Sequence, residues 1–164
     1  MKSKKTISYV HAILTIALAV FFFYKGFEKF GPVKLREKNI NIENQNIVVQ
    51  KIFIEKDYSA PYGYDLTMNT MRQSGFLKVI GVFQMFAALL MLLPQTRMAG
   101  LLTLLPIILN IFLMHLIFDN RMHENTETGR YLVATMLLLL FYWRNIVAIL
   151  WLKNKGQTRV MGAR

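Results

Sequence analysis

Four runs of about twenty apolar residues dominate the chain and leave few folds open to it. A bilayer core of ~30 Å is crossed by roughly 20 apolar residues in a helix. The runs cover residues 7–30, 76–93, 98–118 and 127–152, the last densest from Tyr131 onward. None shows the polar stripe of a soluble amphipathic helix. Lipid offers no water to backbone amides, so spans of this kind must be helical. The expected fold is all-α: a polytopic membrane four-helix bundle, residues 1–164 forming a single membrane domain.

Composition agrees with this reading. Apolar residues make up 54% of 164, and 20 basic against 9 acidic residues give a net charge of +11. A soluble basic protein or a disordered tail would carry more charge and fewer apolar residues. No stacking platform or nucleic-acid motif accompanies the charge, which argues against nucleic acid as a partner. The chain has no cysteine, so disulfides, thiol redox chemistry and Cys-ligated metals are excluded.

The connections are unequal. Pro94 to Arg97 makes a tight antiparallel hairpin of the second and third runs, and twelve residues, Asp119 to Arg130, join the third to the fourth. Residues 31–73 form one long loop between helices 1 and 2. Within it, Asn39–Ile42 and Ile47–Ile54 favour β structure, with Asn44-Gln45-Asn46 as the turn of a small hairpin. Tyr58 to Tyr64 reads as an irregular aromatic loop at the interface, followed by a short helix from Met68 to Ser74.

Lys/Arg bias sets the orientation. With four spans both termini share a side, which holds Lys2, Lys4, Lys5, Arg97, Lys153, Lys155, Arg159 and Arg164 and no acid. The other side holds as many basic residues, mixed with acids and mostly in the long loop, which the rule weighs less. Both termini are expected in the cytoplasm and the long loop outside. Lys2, Lys4, Lys5 and Ala17-Leu18-Ala19 have the outline of a signal peptide, but Val20-Phe21-Phe22-Phe23 continues the apolar run and favours a retained first span.

Polar residues inside spans are costly and raise a functional hypothesis by default. Depth follows from a rise of ~1.5 Å per residue. Lys25, Glu28, Lys29, Lys78, His115 and Asp119 fall at the outer rim, and Gln84 and Asn110 fall deeper. Facing inward, these eight line a ligand-binding pocket open to the outside. Gln84 and Asn110 would donate hydrogen bonds to a carbonyl, as of a quinone. Asp119, one turn from His115, would orient its ring for proton transfer. Lys25, Lys29 and Lys78 would attract an anion. The plainer readings are snorkelling for Lys25 and Lys29, with Glu28 their neutralising partner, and interhelical hydrogen bonding for Gln84 and Asn110. His115, His123 and Asp119 lack a specific metal spacing, so no metal is expected, and His11 reads as a packing residue. Pro106 should kink the third helix, and Gly81 and Gly100 permit close helix approach. Phe141-Tyr142-Trp143-Arg144 reads as an interfacial belt, so that a span starting near Thr126 would reach the cytoplasmic interface around Arg144 and Asn145 to Leu152 would extend along the membrane surface.

Several stretches resemble the DoxX-like family of small four-helix membrane proteins. Gly26-Phe27-Glu28-Lys29-Phe30 is similar to its end of helix one, and Ser74-Gly75-Phe76-Leu77-Lys78-Val79-Ile80-Gly81 to its start of helix two. Leu92 to Gly100 is similar to its short cytoplasmic turn, and Leu105 to Ile111 with His115 to Asp119 to its helix three. The resemblance implies a multi-pass protein of the bacterial inner membrane in a redox-linked setting, since some relatives are subunits of thiosulfate:quinone oxidoreductase. Gln84 departs from the family, in which many members carry an acid there. The implied role is a quinone- or lipid-binding or accessory subunit. An organic-anion carrier that works as a homodimer, and an anchor that docks a partner protein through residues 31–73, are the alternatives. The residues identify no catalytic group.

Overall fold

The computed structural model describes residues 2–32, 45–57, 62–119 and 121–152. These are all-helical, with no strand among the described residues. Helix α1, Lys2–Phe27, tightens into a 3-10 turn at Glu28–Phe30. Helix α2, Gln45–Val49, runs into a π turn at Gln50–Ile54. Helix α3 is Tyr62–Gln73, α4 is Phe76–Leu92 and α5 is Arg97–Met114 with a π turn at His115–Asp119. Helices α6 and α7 are Met122–Leu140 and Trp143–Leu152.

Among the described residues, two helices are long and apolar enough to cross a membrane: Thr6–Phe30 and Arg97–Phe118. The count rises to four if two bent pairs are each one span: α3 with α4, bent by 79°, and α6 with α7, bent by 70°. The outward faces support lipid as the solvent. Ile13 is 65% exposed, Phe86 52% and Leu137 61%, on three different helices. In water such a continuous apolar surface would drive aggregation; in a bilayer it needs no cover.

The core is built from the opposite faces. Leu18, Ala19, Phe22, Ala87, Ala88, Met91, Leu101, Leu104, Ile108, Leu138 and Leu139 form one buried cluster drawn from α1, α4, α5 and α6. Helix α4 packs against both α1 and α5, and α5 packs against α6. Small residues make these contacts close. A Cβ on Gly26 would lie 2.8 Å from the Gly81 carbonyl oxygen, and one on Gly81 would lie 2.6 Å from that of Gly26. At the other end of α4, a Cβ on Gly100 would lie 2.7 Å from the Ala87 oxygen. Gly81 and Gly100 thus serve the close approach expected of them, with Gly26 as the partner of the first.

Local chemistry ends each helix. Leu93 is extended, the conformation favoured before Pro94, and α4 stops there. Thr96 Oγ1 donates to the Leu90 carbonyl at 2.8 Å and Arg97 Nε to that of Met91 at 3.2 Å, satisfying the exposed end of α4. Gly75 takes φ 77°, the left-handed conformation that ends α3 and lets the chain turn into α4. Nothing lies within 4 Å of a Cβ placed there, so backbone conformation and not space is what glycine supplies. Helix α5 runs on through Pro106, which is exposed.

Two sequence expectations give way. Residues 47–54 are helical, not a strand. Val48 and Ile52 are buried at helical spacing, and Lys51 pairs with Glu55 at 2.9 Å across one turn, so side-chain placement overrides the β preference of Ile and Val. The expected first strand, Asn39–Ile42, lies outside the described residues. Tyr62 and Tyr64 belong to α3, not to an irregular loop, and Tyr58–Pro61 lie outside the described residues. The fourth run breaks at Phe141–Tyr142, within the aromatic belt expected at the interface.

Candidate functional site

The C-terminal turn of α1 ends in cations. The negative end of a helix dipole favours them there. Lys29 Nζ donates to the Lys25 carbonyl at 3.2 Å, and Lys25 Nζ meets Glu28 Oε2 at 3.1 Å. Helix α3 folds back at Gly75 and packs against both α4 and the π turn at the end of α5. That brings Met68 and Arg72 beside the start of α4. The result is a cleft of about 300 Å³ lined by Lys25, Glu28, Lys29, Met68, Arg72 and Lys78, with Gly31, Pro32 and Leu77 completing it. Four basic residues and one carboxylate line it, Arg72 having a further interaction of its own. Met68, Pro32 and Leu77 give the same cleft apolar wall.

The structure therefore gathers four of the eight residues expected at a site: Lys25, Glu28, Lys29 and Lys78. Gln84 lies in the core, 1% exposed, its Oε1 buried without a hydrogen-bond partner among the described residues. Asn110 is exposed on α5. One faces the core and the other the outer surface of the helices, so they do not present one surface to a ligand. His115 sits in the π turn with its ring 5.2 Å from that of Tyr64, and the Asp119 side chain lies outside the described residues. Arg72 and Met68 were missed because the short helix expected at Met68–Ser74 was counted with the outer connection and not with the site. Their signal was helical spacing: Tyr64, Met68 and Arg72 recur every fourth residue.

Gln84 makes a direct prediction. An orphaned buried acceptor costs about 1–3 kcal/mol. Gln84→Met keeps the volume and removes the carbonyl, so it should stabilise the fold by about 1 kcal/mol in a detergent denaturation series. Destabilisation of that size would show that the amide has a partner.

His123, Glu124 and Glu127 place donor atoms within 4.8 Å of one another on the first turns of α6. Such donors suit a divalent cation in type. However, His123 is exposed, and Glu124 lies 3.7 Å from Arg121, so the cluster already has the character of a solvated polar turn. His11 packs as expected: it is buried, with Nε2 3.2 Å from the Leu138 carbonyl oxygen and its ring stacked on Phe141 at 4.3 Å.

All-helical described residues with two to four candidate spans and apolar outward faces make this a protein of the membrane class. No family model, curated protein or solved structure matches it.

Proposed function

We propose that this chain is a small multi-pass membrane protein that binds an anionic amphiphile in the cleft between α1, α3 and α4. The observation that carries this reading is the cleft's composition: Lys25, Lys29, Arg72 and Lys78 against Glu28, beside Met68, Pro32 and Leu77. Cations near a membrane surface attract anionic groups by about 1 kcal/mol each. A neutral quinone ring needs no such surplus, so the cleft favours an anionic headgroup over a quinone. The test is native mass spectrometry of the full chain with dodecyl phosphate and, in parallel, zwitterionic dodecylphosphocholine. One dodecyl phosphate per chain and no comparable phosphocholine adduct is the expected result; equal adducts would refute the reading.

Around this cleft we place a four-helix bundle. Its spans are α1, α4, α5 and α6, with α3 on the outer surface and α7 on the inner one. The DoxX-like resemblance and the acid-free basic side argue for a bacterial inner membrane with both termini cytoplasmic. The absence of native cysteine makes this easy to check. Ser74→Cys should react with a membrane-impermeant maleimide on intact cells, and Gln95→Cys only after lysis; the reverse pattern would invert the topology.

A further inference from the structure

Helices α1 and α6 meet at two levels. At the outer one, the Phe21 ring stacks on Tyr131 with centroids 4.3 Å apart. At the inner one, His11 reaches the Leu138 carbonyl and stacks on Phe141. Between these levels the two helices enclose a groove of about 470 Å³. Its walls are Leu14, Ala17, Leu18, Ala134, Leu137 and Leu138, and its charged lining residue is Arg130, beside the Phe21–Tyr131 contact. Ala17 and Ala134 give it depth, because neither has side chain beyond Cβ to fill it.

We propose that this groove holds one acyl chain of an anionic phospholipid, with the phosphate at Arg130. Three observations select this occupant. The groove opens on a flank where Val20, Val133 and Leu137 are exposed, the face turned to lipid. Its length, from Leu14 to Phe21, is roughly 10 Å along the helix axis, and the Phe21–Tyr131 contact closes its outer end. A helix from a second copy is itself ~10–12 Å wide and runs on for many turns, so it would collide with that closure. One acyl chain lies below it and runs on past Leu14. Finally, Arg130 supplies the one positive group the lining contains, and guanidinium pairs with phosphate through parallel hydrogen bonds. An acyl chain gains little by leaving other acyl chains, so selectivity here rests on Arg130 and on groove shape. The site uses residues distinct from those of the cation-lined cleft.

The test is native mass spectrometry of the full chain, purified in mild detergent and incubated with an equal mixture of phosphatidylglycerol and phosphatidylcholine of matched chains. Ala17→Leu with Ala134→Leu fills the groove and should retain one phosphatidylglycerol fewer per chain than the unmodified protein. Arg72→Gln with Lys78→Gln, in the other cleft, should leave this lipid in place. Arg130→Gln, an exposed position that does not threaten the fold, should lower the preference for phosphatidylglycerol at this site about fivefold while keeping a lipid there. An unchanged lipid count in the groove-filled variant would overturn the proposal. So would an unchanged headgroup preference in Arg130→Gln, or a dimer in the unmodified protein that the groove-filled variant loses.

Discussion

Gly81→Val should destabilise the helical core by about 3 kcal/mol, the upper end of the overpacking range. The reason lies in what a side chain there meets. Even the first carbon would sit 2.6 Å from the Gly26 carbonyl oxygen and 3.2 Å from the Lys29 Cβ. Backbone cannot rotate away as a flexible side chain can, so α1 and α4 must separate. Separation also uncovers Ala19, Phe22, Ala87 and Ala88, which pack in the same core. It would pull Lys25 and Lys29 away from Lys78 and so open the cleft. Unfolding of the variant in a graded detergent series, compared with Gly129→Ala, checks this. A Cβ on Gly129 meets only the Phe112 ring at 3.3 Å, so that control should shift little. Equal behaviour of the two variants would mean that the α1–α4 approach is looser than described.

The second large effect is on ligand capture. Arg72→Gln with Lys78→Gln removes two of the four cleft cations and leaves the Lys29–Lys25 contact at the end of α1 intact. At about 1 kcal/mol per basic group, dodecyl phosphate should bind roughly 30-fold more weakly. Glu28→Gln works in the opposite direction. It deletes the one carboxylate of the cleft and releases Lys25 from its 3.1 Å pairing, so affinity should rise roughly fivefold. Opposite signs from neighbouring substitutions separate an anion site from general loosening of the helices, which would weaken binding in both. Isothermal titration against all three proteins at one ionic strength provides the comparison, because exposed charges are screened over about 8–10 Å at ordinary salt.

What the sequence made legible follows from the range of each signal. Helix positions along the chain were plain, because apolar length is a local property: the second run was expected at 76–93, and α4 is Phe76–Leu92. Level along the helix axis was also readable from rise per residue, and Lys25, Glu28, Lys29 and Lys78, expected at one level, line one cleft. Rotation about the helix axis was not readable. Helices that are apolar nearly all round carry no stripe to mark the inner face, so Gln84 and Asn110 looked like neighbours when one is buried and the other exposed. The first turns of helix α3, ahead of the helix expected from Met68, were misread for a different reason. The helix contains Gly63, Asn69 and several polar residues, so local propensity is weak, and it holds its place by packing on α4 and on the π turn after α5. Gly75 was the available clue, as a helix-ending glycine whose turn swings Arg72 over the cleft.

A discrete anion site differs from a generally basic surface in being saturable. The most direct measurement is the binding isotherm of dodecyl phosphate to the unmodified chain in a zwitterionic nanodisc, taken at low and at high salt. One saturable site per chain, weakened by salt and competed by other alkyl phosphates but not by dodecylphosphocholine, is the result predicted. A non-saturating, purely partition-like isotherm, or one indifferent to salt, would contradict it.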